Sequence, residues 1–331
     1  MKTMVTRETR PKISFVVVAR NDNYGGDFLS RMQAFVNVVL TLSERYGLSM
    51  ELVIVEWNPP KDNPRLADAL TWLESPRHCQ VRFIEVPLEM HRQFPHSERT
   101  PLFEFIGKNV GVRRAKGEFI LVTNPDILFG EELIRFLSST NLSSKYFYRT
   151  ARYDVEGPFP TGMSVEEQLA YCQQHITRIN AYFGSFDNRL SEHFDLQRIL
   201  YACLDYIIWR LRYFPLDKPF TNASGDFFMM HRSHWHSLRG YPQIIGADKY
   251  GLFHTDSFMM YQALFHGLRQ VRLGSRLRIY HLEHDRKRDS TLFSPEVDST
   301  RQQLLKARKP IMFNDETWGL GANDLSESVV A

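Results

Sequence analysis

Residues 108–129, Lys-Asn-Val-Gly-Val-Arg-Arg-Ala-Lys-Gly-Glu-Phe-Ile-Leu-Val-Thr-Asn-Pro-Asp-Ile-Leu-Phe, constrain the fold of this chain more than any other stretch. A polar, basic segment runs to Gly117, where the pattern predicts the end of a helix, because glycine takes the left-handed conformation at little cost. Phe119–Val122 then reads as a strand buried on both faces. Pro125 cannot donate to a β-ladder, so the sheet must release the chain at Asn124-Pro125-Asp126. The result is a carboxylate on a stiff turn at the carboxyl end of a buried strand, the edge at which open α/β sheets bind ligands. Taken alone the tripeptide is also an ordinary turn, since all three residue types favour turns.

The residues upstream repeat the theme. Ile13–Ala19 is a continuous β-branched run ending in the polar loop Arg20-Asn21-Asp22-Asn23-Tyr24-Gly25-Gly26. Phe28–Tyr46 follows with apolar residues at helical spacing. Strand, loop and helix make the opening of a nucleotide-binding βαβ unit, without the GxGxxG fingerprint of dinucleotide sites. Glu51–Glu56 is a second strand with Glu56 at its tip, where a carboxylate serves either a ligand or the cap of the next loop. Leu66–Leu73 is predicted helical, Val81–Val86 a third strand and Phe103–Ala115 the helix that feeds Phe119–Val122.

Composition narrows the classes. The chain has 331 residues and a formal net charge of +3, too small a basic excess to imply nucleic acid. Cys79, Cys172 and Cys203 are widely spaced and fit neither a disulfide framework nor a metal knuckle, which predicts reduced, buried thiols and a cytoplasmic protein. The N-terminal residues Met1–Pro11 lack an apolar signal core, and no run reaches the ~18 apolar residues of a membrane span; peripheral membrane contact stays open.

Beyond Leu128, Glu131–Leu137 is predicted helical, Tyr146–Tyr153 an aromatic strand and 156–164 a loop. Val165–Phe214 has largely helical periodicity, an insertion whose aromatic and arginine side chains line an acceptor groove or simply a core-facing stripe with a solvated back. Gly225-Asp226 precedes the apolar run Phe227–Met230, followed by Gly240-Tyr241-Pro242 and by Thr255-Asp256 at the predicted start of a helix, a pair equally suited to capping it. Arg276–Tyr280 is a strand delivering His281, His284 and Arg286; imidazoles there suit a metal and the basic run suits a diphosphate. In an extended chain the two histidines would point to opposite sides, so one of them is expected to reach a metal. The terminal segment contains Trp318, read as docking over the nucleotide, and residues after Gly321 read as disordered.

The order of these pieces resembles the GT-A fold of nucleotide-sugar-dependent glycosyltransferases, the family 2 type in particular, with a galactosyltransferase-like C-terminal half. The resemblance covers roughly residues 12–290. It rests on Lys108-Asn109-Val110-Gly111, Ala115-Lys116-Gly117 with its strand, Asn124-Pro125-Asp126 in the place of an Asp-x-Asp motif, Gly225-Asp226, Gly240-Tyr241-Pro242 and Thr255-Asp256. It implies an α/β fold, a mixed sheet flanked by helices with a helical insertion. It further implies one catalytic domain over 1–320: a nucleotide-sugar half at 12–130, an insertion at 131–220, an acceptor half at 221–290, an extension at 291–320 and a disordered tail at 321–331. The activity implied is inverting transfer of a sugar from a UDP- or GDP-sugar to a hydroxyl, most simply of a glycan. Asp256 is then the catalytic base; Asp126 with His281 or His284 holds manganese or magnesium; and Gly225 and Asp226 meet the acceptor. Arg20, Asn21, Glu56, Lys108, Asn109, Asn124, Arg286 and Trp318 bind the donor nucleotide. Two departures are visible, Asn124 and Thr255, each standing where the family has an acid. They support the alternative of a GT-A domain that binds without turnover. A sugar-phosphate nucleotidyltransferase, the other alternative, would carry a glycine-rich, basic first loop, which this chain lacks.

Overall fold

The computed structural model describes residues 10–187, 196–243, 255–285 and 302–330. The chain opens with β1 (Ile13–Ala19), α1 (Phe28–Tyr46), β2 (Met50–Trp57), α2 (Leu66–Ala69), β3 (Cys79–Val86), α3 (Leu88–His91), α4 (Glu104–Arg114) and β4 (Phe119–Val122). It continues through β5 (Ile127–Phe129), α5 (Glu131–Ser139), β6 (Tyr146–Arg149), β7 (Arg152–Val155), α6 (Val165–Gln174), β8 (Ile176–Ala181), β9 (Gly184–Asp187) and α7 (Leu196–Tyr213). The last elements are β10 (Phe228–His231), α8 (Arg232–Leu238), α9 (Thr255–Phe265), β11 (Arg269–Arg272), β12 (Ile279–Leu282) and β13 (Glu327–Val329).

The architecture is mixed α/β. An eight-stranded sheet has the order β11-β6-β10-β4-β1-β2-β3-β13, and a five-stranded sheet the order β5-β12-β7-β8-β9. In the large sheet β1 pairs parallel with β2 and β4, and β2 with β3, while β10 and β13 run antiparallel to their neighbours β4 and β3. The continuous apolar runs follow from burial on both sides. Phe15 and Val17 of β1 pack with Phe35 and Val39 of α1, and Val16 and Val18 with Ile106 and Val110 of α4. The first core extends into the small sheet through Val155, Ile279 and Tyr280. Between β1 and β4 the strand order reverses direction, which opens a crevice outside their carboxyl ends.

Several expectations are corrected. The helix before β4 stops at Arg114 with Ala115 extended, and Gly117 has no positive φ. Glycine is required there by close approach, since a Cβ would lie 2.5 Å from the Ser14 amide and hydroxyl. The strand expected over Tyr146–Tyr153 is two strands, β6 in the large sheet and β7 in the small one, with Thr150 and Ala151 carrying the chain across. Residues 176–187, between α6 and α7, form the β8–β9 hairpin instead of helix. Its inward residues Thr177 and Asn180 are polar because they serve Asp154, so apolar alternation was absent. The tail forms an edge strand, β13, tied down by Glu327 on Arg82 at 2.6 Å. Cys79 and Cys172 are buried but Cys203 is exposed. No described helix is long and apolar enough to cross a membrane.

Candidate functional site at the strand ends

Asn124-Pro125-Asp126 is the turn between β4, in the large sheet, and β5, in the small one. Leu282 N donates to the Asp126 carbonyl at 3.1 Å, which fastens β12 to this turn. The register sets His281 opposite Ile127 on one side and Asp154 on the other. His281 Nε2 lies 3.7 Å from Asp126 Oδ2, its Nδ1 lies 3.3 Å from Asp154 Oδ1, and His284 Nε2 lies 3.1 Å from Asp126 Oδ2. Both histidines therefore reach Asp126, which corrects the expectation that they diverge. β12 ends at Leu282, so the chain from His281 to His284 is not a continuous strand.

Burial pushes the Asp126 carboxyl upward, but the hydrogen bond from His284 and the charges of His281, His284 and Arg31 outweigh it and hold the group below the usual carboxylate range. Its Oδ1 is buried with no hydrogen-bond partner among the described residues. One ligand atom from each of Asp126, His281 and His284 lies within 4.8 Å of the others. A deprotonated carboxylate with an orphaned oxygen beside two imidazoles fits a first-row divalent cation, a borderline-hard ion that takes O and N ligands. Asp154 orients His281 from behind, as carboxylates commonly do for metal-bound imidazoles. Asp154 itself is held at about 2, where burial is outweighed by His281, Arg152 and Asn180.

The first loop closes over this cluster. A Cβ on Gly25 would come within 2.3 Å of His284 Nδ1, and Gly25 has φ +70°, so only glycine fits. Tyr24 meets the His284 ring edge-on at 5.3 Å. Arg31, buried in the first turns of α1, holds the loop by donating to the carbonyls of Tyr24 (2.6 Å) and Gly26.

A chain of polar contacts leads away from the metal-capable group. Asn124 Nδ2 donates to Asp226 Oδ1 at 2.7 Å, Arg152 Nη1 pairs with Asp226 Oδ2 at 2.6 Å, and Arg152 Nε reaches Asp154 Oδ1 at 2.8 Å. Asn124 thus supplies a donor where a second acid would repel Asp226. Asp226, expected at the acceptor, is engaged in this network. Burial raises its pKa, yet Arg152 and His281 bring it below its ordinary value.

Asp256 sits in the first turn of α9, and its Oδ1 accepts from Ser257 N at 2.8 Å. Burial raises its pKa despite the Ser224 hydroxyl, the Ser257 amide and Lys108. Gly225 is beside it: a Cβ there would be 3.3 Å from Asp256 Oδ2 and 3.7 Å from Lys108 Nζ. Lys108, fully buried, donates to Gly225 O at 3.2 Å and pairs with Glu104. The loop that carries Gly225 is wrapped around Arg149. Its guanidinium donates to the carbonyls of Phe220 (3.1 Å), Asn222 (2.8 Å), Ala223 (3.1 Å), Ser224 (3.4 Å) and Phe227. Full burial lowers Arg149 to about 10, opposed by Asp256 and Asp226. The Tyr241 hydroxyl is also buried without a hydrogen-bond partner among the described residues, and Asp256 acts on it electrostatically.

The remaining expected residues divide by position. Glu56 is buried at the tip of β2, accepts from Leu66 N at 3.0 Å and is pushed up to about 7 by burial. It lines a cleft of about 320 Å³ with Arg65, Asp68, Glu85, Ser326 and Ser328. Arg20 Nε donates to Asn58 O (2.8 Å) and Asn21 Nδ2 to Pro64 O (2.9 Å), so both side chains tie the first loop to the second. The Asn109 amide is fully used by Tyr241, donating to its carbonyl at 2.8 Å and accepting from its amide at 2.7 Å. Trp318 is buried against Arg113 and His236, at the end of α4 that lies away from the strand tips, which separates it from the nucleotide position expected. Arg286 lies outside the described residues. Arg31, Arg149, Arg152 and Asp154 were missed; the run Tyr-Phe-Tyr-Arg-Thr-Ala-Arg-Tyr-Asp-Val held a signal, because charged residues inside an aromatic strand need buried partners.

No family model matches the sequence, and no curated protein matches it. Among solved structures the chain is similar to Staphylococcus aureus TarS 1-349, with a TM-score of 0.45 and 12% identity over 90% of this chain and 65% of that one. It is also similar to the mannosyltransferase PcManGT from Pyrobaculum calidifontis in complex with GDP-Man and Mn2+, with a TM-score of 0.43 and 14% identity over 95% and 73% of the two chains. The chain thus spans just under two thirds of the length of the first.

Proposed function

We propose that this chain is a glycosyltransferase that moves a sugar from a nucleotide-diphosphate donor to a hydroxyl acceptor with inversion. The observation that carries the reading is the placing of two half-buried carboxylates, Asp126 with His281 and His284 within 4.8 Å of it and Asp256 beside Gly225 and Lys108, the first held ionised by its neighbours and the second raised by burial. Such a separation of acid–base character assigns roles. Asp126, His281 and His284 would hold a divalent cation, which when bound neutralises charge on a leaving diphosphate. Asp256 accepts the proton of the acceptor hydroxyl as its oxygen forms a bond to the anomeric carbon. The bond from that carbon to the diphosphate oxygen breaks, and its electron pair leaves with the nucleotide. Ser224, Ser257 and Lys108 orient the Asp256 carboxylate. Glu56 and the cleft beside it suit the nucleoside, since polar groups converge there at a strand tip.

The presence of Asn124 in the acidic position does not by itself favour loss of turnover, because its amide is needed by Asp226. The test is transfer from UDP- and GDP-sugars to simple glycan acceptors, with product configuration read by NMR. Inverted product made by the parent chain and lost in Asp256→Asn is expected. Retained configuration, or full activity of that variant, rejects the mechanism.

A further inference from the structure

α7 is apolar on two opposite sides. Its inner face docks through Trp209 and Tyr213, whose rings lie 4.3 Å apart, with Trp209 5.7 Å from Tyr261 of α9. Its outer face presents Leu200, Leu204, Ile207, Ile208 and Leu211 at helical spacing, continued by Phe214 just past its end. These side chains are exposed, Leu211 by 81% and Phe214 by 74%. A contiguous apolar stripe of this kind marks a docking surface. A helix apolar all round belongs in a core, against a partner or in lipid.

The charges beside the stripe choose among these. Arg308 Nη2 donates to the Arg212 carbonyl at 2.9 Å, and both guanidinium groups lie over Tyr213. This brings the exposed segment Lys306–Lys309 against the carboxyl end of α7. Arg212, Lys306, Arg308 and Lys309 are exposed and form no ion pair among the described residues. The single acid of α7, Asp205, is already paired with Lys218. An apolar stripe rimmed by cations that have no acidic partner among the described residues complements an anionic lipid surface, where the side chains enter the acyl boundary and the cations meet headgroups. A second copy of the stripe would offer that rim no unpaired acid from α7, since Asp205 is taken by Lys218. No described helix can span a bilayer, so α7 would lie in the interface.

We infer that the outer face of α7, with the Arg212/Lys306/Arg308/Lys309 rim, is a binding surface for anionic membranes. The inference stands independently of the glycosyl-transfer reading.

The test is flotation of the full chain with phosphatidylcholine vesicles, with and without phosphatidylglycerol. The protein is expected to float with the anionic vesicles and to be released by salt. Removing two deeply inserted side chains, Ile207→Asp with Leu211→Asp, should lower partitioning by about a hundredfold or more. Because both residues are exposed, circular dichroism and melting temperature should not change. Lys306→Ala with Arg308→Ala and Lys309→Ala should remove the preference for phosphatidylglycerol. No flotation of the parent chain overturns the inference, as does flotation unchanged in the double variant. A concentration-dependent dimer that the double variant dissolves would assign the stripe to a second copy and overturn it equally.

Discussion

Asp126 and Asp256 are the same residue type, both taken largely out of water, and they respond in opposite ways. Desolvation pushes each carboxyl upward. At Asp126 the surrounding His281, His284 and Arg31 overcome it; at Asp256 a hydroxyl, an amide and a lysine already paired with Glu104 do not. Burial therefore does not set the role of a carboxylate here; the charge count around it does. One becomes a fixed anion suited to a cation, the other a group with the proton affinity a base requires.

The largest effect should come from removing the proposed base. Asp256→Asn is expected to cost roughly 10²–10⁴-fold in transfer while leaving donor-induced thermal stabilisation intact, because a general base contributes that much to the chemical step alone. The raised pKa has a sign that can be read: activity should fall as pH drops through a value above the ordinary carboxylate range, measured as kcat/KM against pH. A limb at an ordinary carboxylate pKa would break the contrast with Asp126.

Arg149→Met tests the scaffold under Asp256. It removes a buried cation that satisfies five carbonyls of the 220–227 loop, and should cost about 3–5 kcal/mol in chemical denaturation, as leaving several buried acceptors unpaired does. Glu56→Gln extends the comparison to a more deeply buried acid. Its folded pKa of about 7 lies above the ordinary value of 4.5, so its contribution is fully present below about 4.5 and is lost as pH rises through 7. The substitution should flatten the stability–pH curve across that window and raise stability at pH 8 by up to about 3 kcal/mol, read from urea melts. The smallest effect sharpens the Asp126 side: Asp154→Asn, which leaves the three candidate ligands in place, should weaken manganese affinity about 10–100-fold by calorimetry.

The parallel half of the sheet was legible because its strands are buried on both faces and α1 carries one apolar period. α1 and β4 were read to the residue. The turn at Asp126 was legible because proline must end a ladder. What could not be read is whatever polar tertiary contacts decide. The β8–β9 hairpin turns Thr177 and Asn180 inward to Asp154, so its buried positions look like surface. The convergence of His281 and His284 depends on β12 stopping at Leu282, where Glu283 N reaches across to Val155 O at 2.9 Å. Asn109 was legible as important and misread in kind, since a buried amide whose donor and acceptor both meet Tyr241 works as a tie between α4 and the Gly240-Tyr241 loop.

Asp126, His281 and His284 are proposed as a metal site that serves a nucleotide-sugar. Thermal stability should be measured with a panel of UDP- and GDP-sugars, each with manganese and with a chelator, on the parent chain and on Asp126→Asn. A ligand that binds the folded state raises its stability by mass action. A shift selective for one nucleotide is expected, and it should disappear with the chelator and in Asp126→Asn. A selective shift that survives both would contradict it and remove the metal from the site.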